Sequence, residues 1–157
     1  MKTRLFFLPI LILLMASSCH KDKYNKPIGN RREMLTGSTW RVNEIIEDGA
    51  SATPTCKLDD LWVFSSDGGN GYLDDGADRC SEEDNTTFTY SVTGDQRFVY
   101  LYNMSNPTTY GTHLTDSYRL SFEFLYMTER EMIVKYYDQE GEDGMNHHYK
   151  IRFLRVD

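Results

Sequence analysis

Residues 86–102 read TTFTYSVTGDQRFVYLY. Phe88, Tyr90 and Val92 alternate with Thr87, Thr89 and Ser91, and after a short polar turn at 93–96 the aromatic positions resume at Phe98, Tyr100 and Tyr102 and run on to Met104. An extended chain points successive side chains to opposite faces, so a period of two marks a strand buried on one side. Two such runs, rich in β-branched and aromatic residues and separated by a few turn residues that include glycine, form an antiparallel hairpin. This reading puts Phe88, Tyr90 and Val92 inward on one strand, and Phe98, Tyr100, Tyr102 and Met104 inward on the next.

The same period extends in both directions. Trp40, Val42 and Ile46 share a face upstream, followed by Trp62 with Phe64 and by a short run at 71–73. Downstream, Tyr118, Leu120, Phe122 and Phe124 alternate with polar residues, then Met132, Val134 and Tyr136, then Tyr149, Ile151 and Phe153. Eight strands are expected, with almost no helix.

Their connections alternate in length. Long segments at about 47–59, 74–85, 105–116 and 138–146 fall between tight turns at 65–69, 93–96 and 126–130. In an antiparallel meander alternate connections lie at opposite ends, so every long loop shares one end. The pattern predicts an all-β fold: an eight-stranded up-and-down antiparallel barrel with one closed end and one mouth, a two-sheet sandwich being the rival. Asn30, with Glu33 three residues on, predicts a short N-terminal helical turn that plugs the closed end.

The chain has 157 residues, enough for one core and its loops. A formal charge of −7 repels phosphate backbones, which argues against nucleic acid as a partner. Lys2 and Arg4 precede an apolar run from Leu5 to Met15 and the small residues Ala16, Ser17 and Ser18, the layout of a secretory signal too short to span a membrane as a helix.

Leu14-Met15-Ala16-Ser17-Ser18-Cys19 resembles the lipobox of bacterial lipoproteins. The resemblance implies cleavage before Cys19 and attachment of lipid, with acyl chains such as palmitate, to that cysteine. Residues 1–18 are then a signal peptide, 19–34 a lipidated tether and 35–157 the barrel domain. Several acyl chains anchor a soluble body to a membrane, each buried methylene contributing about 0.8 kcal/mol. His20 follows Cys19 where inner-membrane retention signals are often acidic, so the expected address is the outer membrane of the cell envelope.

With Cys19 assigned to lipid, Cys56 and Cys80 remain, and in an oxidising compartment a disulfide between them is expected. A metal thiolate pair or free thiols are the alternatives, and the spacing of 24 is no zinc-ligand spacing. The bridge would join the first two long loops on the rim.

Leu35-Thr36-Gly37-Ser38-Thr39-Trp40, Cys56 with Asp59-Asp60 and Phe64, Asp67-Gly68, Cys80, and Phe153-Leu154-Arg155 together resemble the lipocalin-like lipoproteins of exported bacterial proteins. Two residues separate Gly37 from Trp40 where lipocalins have one. The resemblance implies a calycin barrel in which Trp40 packs at the floor against an arginine of the last strand, Arg155 with Arg152 as the alternative, by cation-π stacking. It also implies binding of a small hydrophobic or amphipathic molecule in the mouth.

The ligand lining expected from the inward faces is Tyr90, Tyr100, Tyr102, Tyr118, Phe122, Tyr136 and Tyr149, whose rings combine apolar area with a hydroxyl. Most acidic residues crowd the long loops and read as a solvated rim. The sharper reading is calcium, with Asp74, Asp75 and Asp78, or Asp138, Glu140 and Glu142, supplying part of a site. His147 and His148 are adjacent on a strand, face opposite sides and receive no role. No catalytic motif is present, so a non-enzymatic protein without a cofactor is expected. The rival function is a filled barrel whose loops, notably 104–113 with Tyr110, contact an envelope protein or glycan.

Overall fold

Alternation in the sequence becomes alternation of burial in a computed structural model, which describes residues 29–80, 86–105, 119–138 and 147–157. A five-residue helix, α1 (Arg31–Leu35), precedes the strands β1 (Ser38–Glu47), β2 (Ala50–Ser51), β3 (Leu61–Phe64), β4 (Asn70–Asp74), β5 (Thr86–Val92), β6 (Phe98–Tyr102), β7 (Arg119–Met127), β8 (Glu131–Asp138) and β9 (His147–Arg155). Strand order follows chain order from β3 to β9, and β1 pairs with both β3 and β9, so eight antiparallel strands close into a barrel. The two-residue β2 folds back on the end of β1 as a ninth, external strand. Closure removes the free edges that an open sheet would expose.

The seam is the β1–β9 ladder, in which Trp40 pairs with Arg155, Val42 with Phe153 and Ile45 with Ile151. Its register shifts between Val42 and Glu44, which moves the inward position from Ile46, expected from the period, to Ile45, 5% exposed. A bulge of this kind inserts one residue and reverses the parity beyond it. A second shift, between Phe124 and Tyr126 in β7, turns Met127 inward.

β6 departs from the expected face altogether. Val99 and Leu101 are buried at 2% and 0%, whereas Tyr100 and Tyr102 lie on the outer face. Both parities of Phe98-Val99-Tyr100-Leu101-Tyr102 are apolar, so periodicity leaves the choice to register. Val99 pairs with Val92 and Phe122, and Leu101 with Tyr90 and Leu120, all of them inward. Met104 is inward as expected, because Asn103 takes a positive φ of 52° and turns the chain back.

α1 closes the end opposite the long loops. Asn30 caps it by accepting from the Glu33 N–H, as the sequence predicts. Arg31 and Arg32 donate to the carbonyls of Gln96 and Val92, both at 2.7 Å, tying the helix to the β5–β6 turn. Gly37, at φ 71°, turns the chain into β1, where Trp40 Nε1 donates to Ser38 Oγ and Ser38 Oγ to the Leu35 carbonyl.

Trp40 and Arg155, the pair expected at the floor, are register partners on the β1–β9 ladder, and Arg155 Nε donates to Asp157 Oδ1 at 2.6 Å. The buried guanidinium at this end is Arg31, 3% exposed, lying 5.1 Å from the centroid of the Phe124 ring.

Candidate functional site

The inward side chains build the site from the closed end up. Tyr90 lies low, its hydroxyl 3.4 Å from Thr36 Oγ1 and 3.3 Å from the Ser65 carbonyl. Burial pushes its phenol above the ordinary tyrosine value, against a smaller lowering from the hydrogen bond with Thr36. Tyr90 therefore belongs to the floor, not to a ligand lining at the mouth.

Above it the described aromatic side chains pack ring against ring. The Trp62 ring meets Phe88 and Phe122 at 5.7 Å and Phe153 at 5.9 Å between centroids. Phe88 needs Gly71 beneath it, since a Cβ there would fall 2.4 Å from the Phe88 ring. These tilted and edge-to-face contacts are the favoured aromatic geometries, and an eight-stranded barrel is just wide enough for such side chains to fill.

Phe122 passes the contact upward to Tyr136, edge-to-face at 5.4 Å, and Tyr136 stacks on Tyr149 with centroids 4.7 Å apart and planes 10° from parallel. Tyr136 is buried and Tyr149 only partly so. The ladder thus ends in a stacked tyrosine pair at the loop end. The Tyr149 hydroxyl donates to Glu47 Oε1 at 3.0 Å. His147 Nδ1 lies 2.8 Å from the same Glu47 oxygen and 3.2 Å from Asp48 Oδ2.

Asp48 is held by backbone at φ 47°, its N–H donating to the His148 carbonyl and its Oδ1 accepting from the His148 N–H. That backbone bond, joined by His147, holds the Asp48 carboxyl below the usual carboxylate range. Tyr136, Tyr149, Glu47 and His147 together form a wall with an apolar face and a polar end.

Of the ligand residues expected from the sequence, Phe122, Tyr136 and Tyr149 come together in this ladder. Tyr100 and Tyr102 stand outside, the Tyr100 ring nearly parallel to that of Phe98, with centroids 6.3 Å apart and planes at 2°. Tyr118 lies outside the described residues, as do Cys19, Glu140 and Glu142 and most of the 104–113 loop. Glu47, Asp48 and His147 were not assigned a joint role, although two signals point to one. The period through Phe153, Ile151 and Tyr149 continues to His147, and Tyr149 is the register partner of both Glu47 and Tyr136.

On the far rim Cys56 and Cys80 form the expected disulfide, their Cα atoms 5.2 Å apart. Beside it Lys57 Nζ lies 3.3 Å from Asp60 and 3.8 Å from Asp75. Asp59 Oδ2 accepts from the N–H groups of Ala77 and Asp78 at 2.8 and 3.1 Å, which hold its carboxyl below the usual range. Asp74, Asp75 and Asp78 are not brought together as a group of metal-capable side chains: Asp75 faces Lys57, Asp74 accepts from the Gly76 N–H, and Asp78 is exposed. Among the described residues the one group of three metal-capable side chains is Glu47, Asp48 and His147. Asp138 ends β8 as the register partner of His147.

A family model described as a lipocalin-like domain matches residues 35–134. Similar solved structures include bovine odorant-binding protein in complex with a selenium-containing odorant, 12% identical over 84% of this chain and 76% of that one, with a TM-score of 0.46. The same protein in complex with undecanal is 12% identical over 84% of this chain and 77% of that one, again with a TM-score of 0.46. No curated protein matches the chain.

Proposed function

The chain belongs to the lipocalin-like domain family, and from that premise we propose that it binds a small hydrophobic or amphipathic molecule at the open end of the barrel, without chemically altering it. The supporting observation is the stacked Tyr136–Tyr149 pair, which leaves a partly exposed ring at the loop end above the rings around Trp62. A ligand seated there is shallow. Its apolar part lies against Tyr149, and its polar end points toward Glu47 and His147. We propose further that Cys19 carries the lipid anchor of an exported bacterial lipoprotein, holding the domain at the envelope, in the outer membrane.

Titration of the purified protein with an environment-sensitive aromatic probe tests the binding reading. Saturable uptake of one probe per chain, competed by medium-chain fatty acids and weakened about tenfold by Tyr149→Ala, is expected from the loss of one aromatic contact. Absence of saturable uptake overturns it.

The packing around Trp62 favours a second reading, in which a filled barrel serves as scaffold and its long loops contact an envelope protein or glycan. The two separate on the same titration, because a loop-borne partner site takes up no small probe.

A further inference from the structure

Glu47 and His147 come from strands far apart in sequence that meet at the barrel seam, Glu47 ending β1 and His147 opening β9, and Asp48 directly follows Glu47. Their ligand atoms all lie within 4.8 Å of one another. A carboxylate oxygen from each acid approaches the same ring nitrogen, His147 Nδ1, at 2.8 and 3.2 Å. A ring nitrogen carries at most one proton, so a single N–H stands between two negative groups that repel each other.

Each acid also has a further contact. Glu47 accepts the Tyr149 hydroxyl on Oε1, and Asp48 is pinned to the His148 backbone by its own N–H and by its Oδ1. Outer contacts of this kind orient ligating side chains in metal sites.

The donor set is one imidazole nitrogen and two carboxylate oxygens. Imidazole selects borderline transition metals, and a three-residue set with the fourth position left to water is the usual open zinc arrangement. At zinc bond lengths of about 2.0–2.2 Å, neighbouring ligands of a tetrahedron stand about 3.3 Å apart. The 3.2 Å separation already matches that edge, and the 2.8 Å one needs only a small opening.

We propose that Glu47, Asp48 and His147 form a binding site for a divalent transition metal of the zinc class, clamping the first and last strands together at the mouth. On binding, the metal takes Nδ1, any proton there leaves to solvent, and the carboxylates coordinate in place of their contacts with the ring. The site does not depend on the ligand reading given above.

Calorimetric titration of the metal-free full chain with zinc chloride, alongside magnesium chloride, tests the proposal. One zinc per chain, a higher melting temperature on zinc addition and no response to magnesium are expected. His147→Gln, Glu47→Gln and Asp48→Asn should each weaken zinc binding at least tenfold, while His148→Gln retains it. Cobalt substitution supplies a readout independent of stability: a four-coordinate visible spectrum in the parent protein that is lost in His147→Gln. The proposal is overturned by absence of zinc uptake, or by uptake that His147→Gln and Glu47→Gln leave unchanged.

Discussion

Arg31 is the sharpest test of how the closed end is held. Its guanidinium is buried, 3% exposed, yet it carries a charge that proteins do not remove. NH1 donates to the Gln96 carbonyl at 2.7 Å, and the group lies 5.1 Å from the Phe124 ring centroid. Burial lowers its pKa, while Asp95 and Glu123 act in the opposite direction. A hydrogen bond from a charged donor contributes about 1.5–3 kcal/mol, and a desolvated cation-π contact about 2 kcal/mol. Against these stands the cost of taking the charge out of water, several kcal/mol before its partners are counted. Arg31→Ala loses both contacts and the packing of the stem, and relieves the burial cost, for a net loss of about 3 kcal/mol. In a domain of this size that lowers the melting temperature by about 10 °C. Arg31→Met sheds the charge and both contacts as well but keeps the packing of the stem, so it should lose at least about 1 kcal/mol less, the worth of one or two buried methylenes. Urea unfolding of both variants at neutral pH, with the disulfide intact, measures the difference. If Arg31→Ala lies within about 0.5 kcal/mol of the parent protein, the size of an ordinary surface change, the floor is held by other contacts and the account is wrong.

The acid limb of stability follows from Asp48, Asp59, Asp67 and Asp95. Each carboxyl is held below its ordinary value, led by backbone hydrogen bonds in the first three and by the Thr93 hydroxyl in Asp95. A depressed folded-state pKa gives stability that is present above the unfolded value, about 3.9, and lost as pH falls through the folded values. The urea midpoint should therefore fall steeply below about pH 4 and change little between pH 5 and 7 on their account, and Asp59→Asn should make the acid limb shallower. A midpoint flat from pH 5 to pH 2.5 refutes this. Replacing Cys56 and Cys80 together by serine opens a loop of 24 residues and should cost about 3 kcal/mol on the chain-entropy model. Near-ultraviolet circular dichroism from Trp62 should persist below the new, lower melting point, because the bridge lies on the rim and not among the rings. An unchanged melting temperature counts against the entropic role.

The architecture was legible because burial at one face of each strand writes itself into every second residue, and because loop lengths report which end a connection occupies. Parity was legible only where one face is polar. At Thr87-Phe88-Thr89-Tyr90-Ser91 the hydroxyl residues leave one reading, whereas Phe98-Val99-Tyr100-Leu101-Tyr102 is apolar on both faces, and the ladder with β5 and β7 decided it. The shift near Asn43 that buries Ile45 in place of Ile46 has no local signature, since it arises from fitting β1 simultaneously to β3 and β9. The site suffered in the same way. Tyr136 and Tyr149 were found by period, but Glu47, Asp48 and His147 converge only through the closure of a barrel whose first and last strands are neighbours. Arg31 lies within the helical turn that Asn30 and Glu33 predict, but nothing in that turn's sequence announces its contact with Phe124.

Those placements give the two ends of the barrel different tasks. The closed end is committed to stability: α1 is bonded to the β5–β6 turn, Tyr90 is engaged with Thr36 and Ser65, and Arg31 covers Phe124. A ligand entering there would have to displace groups whose buried hydrogen bonds are costly to break. The open end carries a half-exposed ring, a carboxylate and an imidazole, groups that still present surface. The chain enters at the closed end, because β1 runs from Ser38 beside α1 to Glu47 at the mouth. A nine-residue strand rises about 30 Å, which sets the mouth at about that distance from the end where the chain enters. The polarity of the first strand thus puts the stacked tyrosines and the Glu47–His147 pair at the end opposite the one where the chain enters the barrel.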